Sequence, residues 1–203
     1  MHSRRLFVAA LAMALGVGAA DTRPVIVAFG DSLTAGHGLE PGQSFPDDLQ
    51  KLLDQRGRRY RVVNQGISGD TTGGGLDRVR QALELRPVVV ILELGANDGL
   101  RGLPLTATRA NLAQMIDEFR KGGAKVLLAG MTLPRNYGPD YVQGFEKVFR
   151  DLAREKRVAT IPFLLEGVAT DPRLMQADAL HPTAEGARRV AATVLGYLQP
   201  LLK

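Results

Sequence analysis

The strongest constraint in this sequence is an alternation. Short apolar runs rich in β-branched residues end at polar or glycine-rich segments, and between them lie stretches whose apolar residues are spaced three and four apart. Pro24 to Phe29 reads as a buried strand running into Gly30-Asp31-Ser32. Ser44, Pro46 and Asp47 mark a helix N-terminus, and Gly57 closes that helix. Tyr60 to Asn64 makes a second strand, and Leu76, Val79 and Leu83 mark a second helix that stops before Pro87. Val88 to Leu94 carries one polar residue in seven, the pattern of a strand covered on both faces. Leu112, Met115, Ile116 and Phe119 stripe a third helix ended by Gly122-Gly123, and Lys125 to Met131 is a fourth strand. A helix through Val142, Phe145, Val148, Phe149 and Leu152, a short strand from Val158 to Phe163, and a final helix through Ala187, Val190, Val194 and Leu198 complete the series.

Such an alternation predicts an α/β fold: one five-stranded parallel sheet with helices on both faces, a three-layer α/β/α domain. Its chemistry should gather in the crevice at the carboxyl ends of the strands. The polar segments Gly30 to Leu33, Gly66 to Gly75 and Gly95 to Gly102 each follow a strand, so they should meet at one end of the sheet.

Composition narrows the chemistry. The 203 residues suit one domain, and 45% apolar against 23% charged residues is ordinary for a globular chain. Zero cysteines exclude disulfides, thiolate metal sites and a cysteine nucleophile. Arg4 and Arg5 precede an uncharged stretch from Leu6 to Ala20 that ends in small residues, so residues 1–20 are expected to be a signal peptide and 21–203 the mature domain. Ser3-Arg4-Arg5-Leu6-Phe7 also resembles a twin-arginine export signal, and an exported, periplasmic or secreted protein is expected. Cleavage would lower the net charge from +5 to +3, with 24 basic and 21 acidic residues left. The one dense basic cluster, Arg56, Arg58, Arg59 and Arg61, reads as a solvated helix end with Tyr60 as its only aromatic companion, so no nucleic-acid partner is expected.

Elimination then singles out a candidate base. Of three histidines, His2 leaves with the signal segment, and His37 has no carboxylate nearby except Glu40. His181 follows Asp178 by three residues, and in an irregular turn that spacing lets the carboxylate fold back onto the ring Nδ1–H, fixing the tautomer. The candidate nucleophile is Ser32, at a tight turn after the first strand, where an imidazole partner would make it reactive at neutral pH. Gly69 has no side chain to keep its N–H from a developing oxyanion, and Asn97 has an amide to donate from the end of the central strand. Taken singly, Ser32 and Asp31 suit a turn and cap, Gly69 a turn, and Asn97 a cap.

Together, Gly30-Asp31-Ser32-Leu33, Gly69, Gly95-Ala96-Asn97-Asp98 and Asp178-Ala179-Leu180-His181 resemble the four blocks of the GDSL or SGNH hydrolase family, in order and across nearly the whole mature chain. Ile67-Ser68-Gly69-Asp70-Thr71-Thr72, Asn97-Asp98-Gly99-Leu100-Arg101-Gly102 and Leu133-Pro134-Arg135-Asn136-Tyr137-Gly138 are similar to the branch described as acyl-CoA thioesterase I, lysophospholipase L1 and arylesterase. The resemblance implies a flavodoxin-like fold and a serine esterase acting on carboxylic esters and thioesters. Ser32 is then nucleophile, Asp178 and His181 complete the triad, and Ser32 N–H, Gly69 N–H and Asn97 form the oxyanion hole. Ala96 departs from the family's usual glycine, and its methyl is expected to narrow the oxyanion pocket without abolishing activity.

Leu133 and Tyr137 lie on a loop that, by resemblance, contributes to the substrate site. They could flank an acyl chain, and core packing explains them equally well. No cofactor and no metal are expected: Asp178 and His181 would be too few ligands. The expected partner is a small ester or lysophospholipid, with transient membrane-surface contact and a monomeric state. Two rivals are a carbohydrate or short-chain acetyl esterase with the same machinery, and a non-catalytic binding module on the same architecture.

Overall fold

A computed structural model describes residues 21–203, so the expected signal segment, residues 1–20, lies outside the described residues. The strands β1 (Val25–Gly30), β2 (Arg61–Gly66), β3 (Pro87–Glu93), β4 (Lys125–Ala129) and β5 (Ala159–Ile161) form one parallel sheet in the order β2-β1-β3-β4-β5. This order reverses direction beside β1, and open sheets of this kind bind ligands at that switch point. Every side chain of β1 is buried, as is every one of β3 except Val88, which fits strands covered on both faces.

One face carries α2 (Phe45–Gln55) and α8 (Ala184–Leu198), packed against each other; the other carries α6 (Leu105–Lys121), flanked by α3 (Thr72–Asp77) and α7 (Pro139–Lys156). The Ser44 cap behaves as its sequence predicts: its side chain accepts from the Asp47 N–H, and the Asp47 carboxylate reaches back to the Ser44 N–H. Phe29 of β1 meets Phe119 of α6 edge to face at 5.2 Å, and Phe145 meets Phe149 in the same way within α7.

The structure departs from the sequence reading at four places. The helix expected through Leu76, Val79 and Leu83 is two short helices, α3 and α4 (Val79–Glu84), which meet at Arg78. Three consecutive glycines in α3 favour helix weakly, and the Arg78 backbone leaves helical geometry at φ −110° and ψ 6°. The strand expected over Val158 to Phe163 has only three residues, because it pairs on one side and only with the end of β4. Two single-turn helices have no apolar period to announce them: α1 (Ser32–Ala35) and α5 (Ala96–Leu100). Both begin inside the motif segments.

Register brings the motif segments to a common level. Gly30 of β1 pairs with Gly66 of β2 on one side and Glu93 of β3 on the other, so three strands stop along one line. The glycines allow the closeness: a Cβ on Gly66 would lie 2.2 Å from the Ala35 backbone nitrogen and 2.7 Å from the Thr34 carbonyl carbon, inside α1. Gly66→Ala is therefore expected to lower unfolding stability by about 1–3 kcal/mol, the usual range for overpacking, as measured by urea denaturation. A variant as stable as the parent would contradict this tight strand-to-turn contact.

Candidate active site

Ser32 is the first residue of α1, directly after the Asp31 cap, whose carboxylate accepts from the Leu33 N–H at 3.0 Å. The turn places the Ser32 hydroxyl at the carboxyl edge of the sheet. His181, on the loop before α8, brings Nε2 to 2.9 Å from Ser32 Oγ across 149 residues of sequence. The ring's other nitrogen donates to Asp178 Oδ2 at 2.7 Å. With Nδ1–H engaged in this way, Nε2 carries the lone pair that faces the serine hydroxyl.

Local backbone geometry accounts for the Asp178 pairing. Ala179 adopts a positive φ of 55°, and the resulting bend aims both the Leu180 and His181 N–H groups at Asp178 Oδ1, at 2.9 and 3.0 Å. Partial burial works against the anion, but the His181 ring and these two amides outweigh it and hold the Asp178 carboxyl at about 2. Asp178 is thus an anion throughout the neutral range. Gln176 ties this loop to the segment after Ser32: its Nε2 donates to His37 O at 2.7 Å and to Pro182 O at 2.9 Å.

Asn97, in α5, lines the same cavity as Ser32 and His181, and its Nδ2 donates to Asp31 Oδ2 at 3.0 Å. Gly69 has φ +82° in the loop after β2, and its carbonyl accepts from Arg101 at 2.8 Å. Leu133 lines the cavity, as does Ala96. Tyr137 is outside that lining: it sits in a 3-10 turn and its hydroxyl donates to Leu100 O at 2.8 Å, holding the end of α5. The cavity measures about 430 Å³, its apolar wall is formed by Leu100, Met131, Leu133, Phe163, Leu165 and Met175, and Ser32 and His181 also line it. Among the described residues, no group of three or more His, Cys, Asp or Glu side chains is arranged to hold a metal.

Of four residues beneath or beside the site, Arg78 and Glu93 were given no role from the sequence, Asp98 entered only as part of a motif block, and His37 only as the rejected base. Arg78, at the break between α3 and α4, donates to Gly30 O at 2.9 Å, Gln65 O at 2.8 Å and Asp70 Oδ2 at 2.7 Å, and lies 3.9 Å from the centroid of the Phe29 ring. It straps the turn before Ser32 to the loop carrying Gly69. Asp98, buried beside Asn97, accepts from the Thr72 N–H and hydroxyl, tying α5 to the same loop. Glu93 is wholly buried behind the Ser32 turn. His37, set aside for lack of a carboxylate, packs its ring 4.6 Å from that of His181. Glu93 left a sequence signal of its own, a lone carboxylate in a strand covered on both faces.

With this geometry in view, comparison with known proteins gives the class: the chain belongs to the GDSL-like lipase/acylhydrolase family, whose model matches residues 28–189. It is a carboxylic ester hydrolase of the GDSL esterase and thioesterase type. Among its relatives is the esterase TesA of Pseudomonas aeruginosa, 45% identical over 178 residues, covering 87% of this chain and 89% of that protein. Thioesterase 1/protease 1/lysophospholipase L1 of Escherichia coli (strain K12) is 37% identical over 185 residues, covering 91% of this chain and 86% of the relative. A crystal structure of TesA superposes with a TM-score of 0.85 at 45% identity, covering 88% of this chain and 99% of that one.

Arg78→Lys keeps the charge but not the planar fork that serves three acceptors at once. It should lower unfolding stability by about 1–3 kcal/mol through the acceptors left unpaired, as read by urea denaturation. No change would contradict the strap.

Proposed function

We propose that the chain hydrolyses its esters by two-step acyl transfer through Ser32. His181 Nε2 takes the hydroxyl proton as Ser32 Oγ attacks the ester carbonyl, and the imidazolium that forms is stabilised by the Asp178 carboxylate. The oxyanion receives hydrogen bonds from the Ser32 and Gly69 N–H groups and the Asn97 amide. As the carbonyl re-forms, the bond to the leaving alcohol or thiol breaks, and His181 gives that group its proton. Water, deprotonated by the same imidazole, then attacks the acyl-serine and releases the carboxylic acid, returning the proton to Ser32. No metal or organic cofactor enters these steps.

The observation that carries this reading is the unbroken hydrogen-bonded line from Asp178 Oδ2 through the His181 ring to Ser32 Oγ, with contacts of 2.7 and 2.9 Å. A deprotonated Nε2 at that distance is already in position to accept the proton.

The apolar cavity beside Ser32 supports an acyl chain rather than a sugar ring as the occupant of the acid side. We therefore assign aliphatic acyl esters, including lysophospholipids, as the substrate class, with aryl esters and acyl thioesters also accepted. The relative named lysophospholipase L1 is in keeping with this choice. The N-terminal residues 1–20 support export, which would bring the enzyme to membrane-derived esters rather than to cytoplasmic thioesters. Brief contact with a membrane surface and a monomeric state belong to the same proposal.

Ser32→Ala should reduce p-nitrophenyl ester hydrolysis at least about 10³-fold, as expected when a nucleophile is removed, while circular dichroism and the melting temperature stay near those of the parent. Undiminished hydrolysis would refute the nucleophile. Across p-nitrophenyl esters from acetyl to palmitoyl, kcat/KM should rise beyond acetyl as methylenes enter the cavity. Activity confined to acetyl would favour the short-chain esterase and overturn the acyl-chain assignment.

A further inference from the structure

Glu93 closes the central strand with a side chain that has no solvent exposure. Its Oε2 accepts from the Asp31 N–H at 3.2 Å and the Thr34 hydroxyl at 2.7 Å, while among the described residues no donor reaches Oε1. The fit is close: a Cβ on Gly30 would lie 2.4 Å from Glu93 Oε2. Against Glu93 lies a second buried carboxyl, that of Asp31, which accepts from the Leu33 N–H and the Asn97 amide, both at 3.0 Å.

The surrounding charges do not neutralise this pair. Arg78 is engaged by Gly30 O, Gln65 O and Asp70, and His181 acts on Asp31 only through space. Two carboxyls in contact and out of water cannot both ionise, so a proton stays with one of them. It belongs on Glu93. Burial above all, and then the charge of Asp31, lifts the Glu93 carboxyl well above its ordinary range. Burial lifts Asp31 to only about 6, because the Leu33 N–H, the neighbouring Glu93 side chain and the Asn97 amide all favour its anion.

We propose that Glu93 is a positioning residue: as a neutral acid it donates to the Asp31 carboxylate, and the carboxylate so anchored fixes the Asn97 amide with one N–H engaged and the other facing the reacting carbonyl oxygen. The Asp31 N–H bond to Glu93 Oε2 anchors the Ser32 turn from the same side chain. This inference rests on the oxyanion role proposed for Asn97.

Glutamine and leucine at position 93 separate the proposal from simple space filling. Glu93→Gln keeps an acceptor oxygen for Asp31 N–H and Thr34 and supplies an N–H donor in place of the acid proton, so kcat should stay within a few-fold of the parent. Glu93→Leu fills the space but cannot donate, and kcat should fall about 10²-fold, the scale of a displaced catalytic group, with KM little changed. A leucine variant with the parent's kcat, or a glutamine variant as impaired as the leucine one, would overturn the proposal.

Two readouts stand apart from catalysis and need only the glutamine variant. An acid whose pKa is raised by folding binds more protons in the native than in the unfolded state, so its contribution to stability falls as pH rises above the ordinary glutamate range. The melting temperature of Glu93→Gln relative to the parent should therefore increase from about pH 5 to about pH 8. The infrared difference spectrum should also lose the carbonyl stretch of one protonated carboxylic acid. A constant or shrinking difference in melting temperature, or no lost band, would show Glu93 to be ionised and refute the inference. Failure of the acyl-enzyme reading would show itself separately, as activity surviving in Ser32→Ala.

Discussion

The structure depends on a contact between the two ends of the described chain. Ser32 follows the first strand and His181 precedes the last helix, yet Nε2 and Oγ are 2.9 Å apart. No local sequence preference can produce that distance. It follows from a parallel sheet in which β1 is an interior strand beside the point where the strand order reverses, so that the loop after it opens at the switch point, and from the packing of α8 against α2 on the same face. Gln176 adds a direct clamp between the two segments, through His37 O and Pro182 O.

Beneath that contact lies a layer of buried polar groups that a purely apolar core would not need. Asp31, Glu93, Asp98, Thr34 and Thr72 are all almost fully buried, and Arg78 nearly so. Burying charge is costly unless each group finds partners. Here the partners are the backbone and side chains of the loops that carry Ser32, Gly69 and Asn97. Arg78 joins the first loop to the second, Asp98 the third to the second, and the Asp31 to Asn97 bond the first to the third. Three short loops, each too short to hold a geometry alone, are held as one rigid unit. Such preorganisation is what lets hydrogen-bond donors act on a developing oxyanion without rearranging.

The sequence made the fold legible wherever a period was long enough to read. The five strands and the amphipathic α2, α6, α7 and α8 announce themselves through apolar spacing and through caps such as Ser44 with Asp47. What lies below the length of a period was hidden: α1 and α5 are one turn each, and the break at Arg78 sits inside an unbroken Leu76, Val79, Leu83 stripe. At the site, Asp178 and His181 could be paired in advance because they stand three positions apart. Ser32 could be added because so few histidines were available to serve it. The supports of that site were not legible in the same way. Arg78, Asp98 and Gln176 act through contacts with residues distant in sequence, and a lone arginine or glutamine has no spacing to read. Tyr137 shows the converse: a loop aromatic expected beside the substrate has its hydroxyl on the Leu100 carbonyl and stays out of the cavity lining.

The most direct test of the account is to trap the acyl group itself. Rapid acid quenching during turnover of a p-nitrophenyl acyl ester, followed by peptide mapping in a mass spectrometer, should find one acyl group per chain on the peptide containing Ser32. The Ser32→Ala chain treated in the same way should carry none. An acyl group on another residue, or catalysis at full rate with no acylated peptide after a quench fast enough to catch the burst of p-nitrophenol, would contradict a covalent intermediate on Ser32.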